Sequence, residues 1–339
     1  MAISYSSVDI RGKAVEPILE EVFFANKTIN DGYVTFNSDI KAGTIFTEAG
    51  VDVTAQLYTG AALSNSGSMT ITDRIITPTK LEYKQTFLQE SLRAGRFGRS
   101  MNPGAFNIES SEFASTVLAQ YAPAVSEDSE KIFWGGITST TKTAIAALTP
   151  GSAQGSITAA TQTAVAGLTA GLVDGVFAKV LYDNAAIGGY IKVTGTTVTS
   201  ANIAAECAKI FAAIPAENLN DTVSPTVIYA PRGWKQLCYN ANNTVGAAQQ
   251  VNFQISGNDF NTSKVFYNGI ELLFVPAPTN NLAYAQRKAA VSWNTDLLDD
   301  VNRFEVGKLV NDGDTQFVRT IYTLAANVGQ ATKGVLYGG

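Results

Sequence analysis

The segment from Phe87 to Gly136 reads FLQESLRAGRFGRSMNPGAFNIESSEFASTVLAQYAPAVSEDSEKIFWGG. A Gly- and Arg-rich lead enters one long amphipathic helix, predicted over about 108–132, which ends on an aromatic pair and two glycines. Asn107 is placed to cap the helix, and Glu109 and Glu112 suit its positive end. Phe113, Val117, Tyr121 and Val125 recur every four residues, flanked by Leu118 and Ile132. Glu112, Gln120, Glu127, Glu130 and Lys131 fill the opposite face, and Pro123 is expected to bend the helix.

Upstream, residues 1–32 read as an arm with short apolar clusters around Pro17. Residues 33–86 read as β: Tyr33–Phe36, Thr44–Phe46, Val51–Leu57 and Met69–Ile76 are rich in β-branched and aromatic residues, and Ser64–Ser68 is a turn cluster. The simplest picture is a long hairpin over Tyr33–Ile76. A long isolated hairpin is marginally stable in water, so a neighbouring surface is expected to support it.

Downstream, residues 137–171 are rich in Thr, Ala, Gly and Ser and read as an exposed loop or weak β segment. Helices are predicted over Leu172–Tyr182 and, capped by Thr199 or Ser200, along Ile203, Cys207, Ile210, Phe211 and Ile214. Thr226–Tyr229 is a predicted strand that leads through Pro231 into a short helix carrying Trp234 and Leu237. Asn268-Gly269 between Val265–Tyr267 and Ile270–Val275 is a strong two-residue hairpin signal. The chain is predicted to end in β structure: Ala289–Trp293, Arg303–Val310, a tight turn at Asn311–Asp314, then Phe317–Leu324.

Composition narrows the function. Of 339 residues only 16% are charged, against roughly 25% in ordinary soluble domains, and 45% are hydrophobic. Such a chain either covers much of its surface with partners or relies on Thr, Ser and Asn as its polar skin. The net charge of −5 argues against nucleic-acid binding as a main task, because that affinity rests on clustered Lys and Arg. The chain has no histidine, which removes Ser-His and Cys-His dyads, His metal sites and a His pH switch. Its two cysteines, Cys207 and Cys238, sit in no metal or redox spacing and read as small buried hydrophobes, which fits a reducing compartment.

No apolar run approaches the roughly 20 residues that cross a bilayer, and the N-terminus lacks a signal-peptide core, so no membrane role and a cytosolic start are expected. The sequence contains no GxGxxG, GxxxxGK[ST], HExxH or GxSxG. Asp296, Asp299 and Asp300 lack calcium-loop spacing and read as a solvated turn. Trp134, Trp234 and Trp293 read as core. No catalytic, cofactor-binding or metal-ligating residue is expected. Arg93, Arg96 and Arg99 recur every three residues among glycines, a pattern for subunit pairing, a solvated loop or a phosphate site.

The order of elements resembles the major capsid proteins of tailed bacteriophages with the Hong Kong 97-like capsid fold. Four stretches carry the resemblance: TPTKLEYKQTFLQESL (Thr77–Leu92); the long helix followed by Phe133-Trp134-Gly135-Gly136; PTVIYAPRGWKQL (Pro225–Leu237); and YNGIELLFVP (Tyr267–Pro276) with SWNTDLLDDVNRFEV and TQFVRTIYTLAANVGQA after it. The resemblance runs from about Asp31 to Gly339. It implies an α+β fold with an N-terminal arm (1–30), an extension loop formed by an extended β-hairpin (31–84), a peripheral domain with a long spine helix (85–194 and 277–339), and an axial domain (195–276).

The implied function is a structural shell subunit without enzymatic activity or cofactors. It would self-assemble into pentamers and hexamers of an icosahedral head in the host bacterial cytoplasm and end in the virion. The implied partners are copies of itself, separate scaffold and portal proteins, and packaged double-stranded DNA held by weak non-specific contact. Subunit contacts are expected at Arg93, Arg96, Arg99, Lys41, Asn65 and Ser66. One family member welds its shell with lysine–asparagine bonds from the extension loop; here Lys41 is the lone lysine between Tyr33 and Thr79, and no cross-link is carried over. Alternatives are an encapsulin-type nanocompartment shell or a phage tail or surface β-protein.

Overall fold

The computed structural model describes residues 8–11, 27–41, 43–53, 67–88, 111–148, 158–187, 190–219, 223–244, 253–257, 259–296, 303–309, 312–329 and 333–338. The first half contains β1 (Val8–Arg11), α1 (Lys27–Asn30), β2 (Thr35–Asn37), β3 (Thr44–Val53), β4 (Gly67–Ile76), β5 (Thr79–Leu88), α2 (Ser111–Gly135), α3 (Ser139–Ala146), α4 (Ala159–Ala166) and α5 (Val176–Ile187). The second half contains β6 (Ile191–Thr194), α6 (Ile203–Ala213), α7 (Ala216–Leu219), β7 (Thr226–Pro231), α8 (Arg232–Thr244), β8 (Gln254–Ser256), β9 (Lys264–Tyr267) and β10 (Ile270–Val275). It closes with β11 (Leu282–Arg287), a 3-10 turn, β12 (Val291–Asn294), β13 (Arg303–Leu309), β14 (Asp312–Val328) and β15 (Val335–Gly338). The fold is α+β.

A mixed seven-stranded sheet, in the order β6-β15-β11-β7-β10-β9-β8, sits between two cores. The register pairs Ile228 with Leu272 in parallel and Tyr229 with Tyr284 in antiparallel. Val227, Tyr229, Leu273, Val275, Leu282, Tyr284 and Leu336 face one core, while Ile228, Ala230, Leu272, Ala283, Ala285 and Tyr337 face the other. Because side chains alternate along a strand and both faces are covered, the central strands read as unbroken apolar runs. That explains why β11 and β15 were not legible as strands: LAYAQR and VLYG have neither polar alternation nor many β-branched residues.

Helices α6 and α8 close one core with Ile203, Cys207, Ile210, Trp234 and Cys238, all at most 1% exposed. The other core lies among α2, α5 and a second sheet, ordered β1-β13-β14-β12-β2 with β5 also on β14. Strand β14 is 17 residues long, and β13 and β5 flank it. All three tryptophans are buried, as their core reading expects. Phe133 stacks on Trp293 at 4.4 Å between ring centres, and Trp134 meets Tyr229 at 4.9 Å.

Space, as well as chain chemistry, ends α2 at the double glycine. A Cβ on Gly136 would lie 2.5 Å from the carbonyl oxygens of Ile132 and Val173, and one on Gly175 2.5 Å from that of Phe133. The Asn268-Gly269 hairpin is present, with φ of 48° and 84° at its two turn residues, as a type I′ turn requires.

Several local expectations are corrected. Among the described residues of 137–171 the main elements are helices, not loop or β strands: α3 and α4 pack together, with Ile145 and Val165 buried, and residues 149–157 lie outside the described residues. Alanine's helix preference, together with a cap in which Thr138 Oγ1 accepts the Thr141 N–H, outweighs the β preference of the threonines. Helix α2 runs three residues beyond the expected end, and Asn107 with residues 108–110 lies outside the described residues. Helix α5 starts at Val176 rather than Leu172, leaving Leu172 73% exposed. Asn202, not Thr199 or Ser200, holds the cap position of α6, and its Oδ1 instead accepts from the Thr199 N–H and hydroxyl. Tyr33–Phe36 is not part of the hairpin, because β2 pairs in parallel with β12. Asp296 is buried rather than solvated, and its N–H donates to Thr323 Oγ1. Asp312–Asp314 belongs to β14 rather than to a turn, and Asn311 lies outside the described residues.

Glu206 is the buried charge of the α6 side. Thr196 Oγ1 donates to Oε1 at 2.9 Å, Tyr337 Oη to Oε2 at 3.0 Å, and Lys209 Nζ lies 2.9 Å from both oxygens. Burial opposes its charge, but Lys209, Thr196 and Tyr337 outweigh burial and hold its pKa below the ordinary 4.5. The resulting stabilisation is complete above the ordinary value and is lost as pH falls through the lower folded value. Glu206→Gln therefore lowers stability by roughly 1–3 kcal/mol near neutrality. Denaturant unfolding of parent and variant at neutral and strongly acidic pH should show the gap closing in acid.

Candidate assembly interface

Strands β3 and β4 form a two-stranded antiparallel sheet that no third described strand joins. Its register pairs Ile45 with Ile75, Thr47 with Asp73, Ala49 with Ile71 and Val51 with Met69. Directly opposed residues share a face, so Ile45, Thr47, Met69, Ile71, Asp73 and Ile75 lie on one side of the ribbon. On that side Ile45, Met69, Ile71 and Ile75 are 59–67% exposed. Polar contact interrupts the stripe once, where Thr47 Oγ1 donates to Asp73 Oδ1 at 2.7 Å. The other side carries Phe46 opposite Arg74, and Thr44 opposite Ile76, which is 1% exposed where the ribbon meets the body.

Two physical facts make this ribbon the candidate interface. A lone two-stranded hairpin is marginal in water. Contiguous exposed apolar side chains mark an interaction surface, and covering an Ile or Met contributes about 1.5–3 kcal/mol. The stripe was missed in the choice of site residues, although its signal is present: Met69, Ile71, Asp73 and Ile75 alternate with Thr70, Thr72, Arg74 and Ile76.

The ribbon is fixed at its base. The Gly43 N–H donates to the Ile76 carbonyl at 3.2 Å, with Gly43 at a φ of 85°, and Thr44 donates to the Lys41 carbonyl from both its N–H and its hydroxyl. Lys41 is exposed at this base. Arg93, Arg96, Arg99, Asn65 and Ser66 lie outside the described residues.

Burial, with Glu206 nearby, pushes the Cys207 thiol up to about 12, and burial raises Cys238 as well, so neither is a ready thiolate. Burial, with Lys27 nearby, lowers the Lys235 pKa; its Nζ sits 5.1 Å from the Phe260 ring and donates to the Asn261 carbonyl. Among the described residues no group of three His, Cys, Asp or Glu side chains is arranged to hold a metal, and no helix is long and apolar enough to cross a membrane.

The sequence matches no protein-family model and no curated protein. Its fold does have matches. A chain of the satellite phage P4 procapsid that includes the size determination (Sid) protein aligns over 99% of this chain and 91% of its own, with a TM-score of 0.58 and 12% identity. The capsid of a native GTA particle aligns over 100% of this chain and 96% of its own, with a TM-score of 0.53 and 12% identity. The fold is that of phage capsid proteins. The likeness lies in the path of the chain, from end to end, and the resemblance to major capsid proteins read from the order of elements holds at that level.

Ile71→Lys and Ile75→Lys remove apolar surface that the single chain already exposes. Each should leave the stability of the isolated chain within about 0.5 kcal/mol of the parent. Each should also weaken association between copies, measured by sedimentation across a concentration series.

Proposed function

We propose that this chain is a structural major capsid protein, which self-assembles into pentamers and hexamers of an icosahedral phage head around double-stranded DNA. The observation that carries the reading is the exposed stripe of Ile45, Met69, Ile71 and Ile75 on a ribbon that no third described strand joins, in a chain whose length aligns with capsid folds. In this reading the ribbon is the extension loop and lies over a neighbouring copy. Helix α2 is the spine of the peripheral domain, and the seven-stranded sheet with α6 and α8 forms the axial domain. The axial domain placed at 195–276 then also draws on β6, β11 and β15, which pair into its sheet.

The subunit works by assembly rather than catalysis. Each contact is weak, and closed symmetry repeats it. A net charge of −5 suits a wall that encloses DNA without adhering to every phosphate, and separate scaffold and portal proteins would direct closure. Arg93, Arg96 and Arg99 fit a subunit contact, since arginine pairs bidentately with carboxylates that an acidic chain supplies.

Negative-stain microscopy of the purified protein tests the proposal. Closed shells, or sheets and tubes of hexamers, support it, and shells filled with protein cargo in place of DNA would point to a nanocompartment. A monomer that stays monodisperse at high concentration and in crowding polymer counts against it. Amide exchange in β3 and β4 should be fast in free subunits and slow in shells, and equal protection in both would sink the extension-loop assignment. Arg96→Ala should leave the free subunit folded while lowering shell yield or raising salt sensitivity. Normal yield with less retained DNA would place these arginines against the genome instead.

A further inference from the structure

Glu130, on the last turns of α2, is buried and spends its two carboxylate oxygens on two different parts of the chain. Thr28 Oγ1, on α1, donates to Oε1 at 2.5 Å. Arg232 Nη2, on the first residue of α8, donates to Oε2 at 2.5 Å. Thr28 is itself completely buried and accepts from the Trp134 indole N–H at 2.8 Å, one turn further along α2. A relay therefore runs from Trp134 through Thr28 to Glu130 and out to Arg232.

The segment that carries Thr28 is a strap across the body. The Tyr33 N–H closes onto the Thr28 carbonyl, and the Tyr33 carbonyl accepts from Tyr229 Oη of the seven-stranded sheet at 2.8 Å. Further along, β2 pairs with β12, Asn37 Nδ2 donates to Asn294 Oδ1 at 3.0 Å, and the Ile40 N–H donates to the Thr295 carbonyl. The next residue, Lys41, begins the base of the β3–β4 ribbon. One strap thus touches the long helix and both sheets before it delivers the ribbon.

We propose that Glu130 is a latch that couples the seating of the 27–40 strap, from which the ribbon springs, to the seating of α8 on the seven-stranded sheet. The physical reason is the shared anion. A buried carboxylate that loses one donor is left with an unsatisfied oxygen, so the remaining donor holds a less stable site. The two donors therefore favour being engaged together. Releasing Arg232 loosens Thr28, and releasing Thr28 loosens Arg232, although the two residues are 204 positions apart in the chain. What the latch means for a shell rests on the capsid reading, in which strap and α8 belong to different domains. The coupling itself belongs to the single chain and is tested there, so its failure is distinguishable from failure of that reading.

The test is amide exchange, read by peptide mass spectrometry, on the free full-length chain and three variants. Arg232→Met removes the charge and keeps the stem; because the Arg232 side chain is 47% exposed, the change leaves no cavity in a core. It should accelerate exchange of strap amides between 29 and 40 about tenfold, which corresponds to roughly 1.4 kcal/mol of coupling. Amides of β11 should stay at parental rates. Arg232→Lys should recover part of the protection. Thr28→Val should accelerate exchange in the first turns of α8 in return. Acceleration confined to residues around Arg232, with the strap unchanged, overturns the proposal and leaves a local ion pair. Equal acceleration in β11 also overturns it, because that is general loss of stability. If Thr28→Val does not fold, the Arg232→Met and Arg232→Lys pair decides alone.

Discussion

The structure depends on an aromatic junction where helix and both sheets meet. Phe133 stacks on Trp293 of the second sheet at an interplanar angle of 22°, and Trp134 sets its ring against Phe133, Tyr229 and Phe177. Tyr229 in turn stacks on Tyr284 across the seven-stranded sheet. These rings bury large areas with fixed geometry, so the end of α2, both sheets and α5 are positioned by one contact set. The close approach of backbone at Gly136 and Gly175 follows from it, since bringing α2 and α5 together this tightly leaves no room for a Cβ.

Everything with a well-defined interior is gathered around this junction and around the second core under α6 and α8. The β3–β4 ribbon is gathered by neither. Ile45, Met69, Ile71 and Ile75 are exposed on it, a costly arrangement for a lone chain. The low content of charge has the same sense. A surface poor in Lys, Arg, Asp and Glu is poorly suited to solitary life in water and well suited to being covered. Glu130 lies at the opposite extreme, a buried carboxylate hydrogen-bonded by two segments far apart in the chain.

The long helix, the Asn268-Gly269 hairpin, the apolar face of α6, the burial of three tryptophans and two cysteines, and the existence of a long ribbon were all legible in the residues. Each is encoded by a local pattern: a spacing of three to four, a turn that needs positive φ, or an alternation of two. The alternation that forms the exposed stripe on the ribbon is legible by the same rule. The helices α3 and α4 were misread because threonine and alanine pull in opposite directions, and a few buried contacts at Ile145 and Val165 decided between them.

By itself the sequence determined the long helix α2, the Asn268-Gly269 hairpin, the strands of the ribbon and the absence of histidine chemistry, because these follow from composition and short-range spacing. Only the tertiary structure decided that β11 lies between β7 and β15, that β2 leaves the ribbon to pair with β12, and that Thr28 and Arg232 share one carboxylate. Strand order and shared partners depend on contacts between residues far apart in the chain. No local period encodes such contacts; they are set by which packing buries both faces of the central sheet at once.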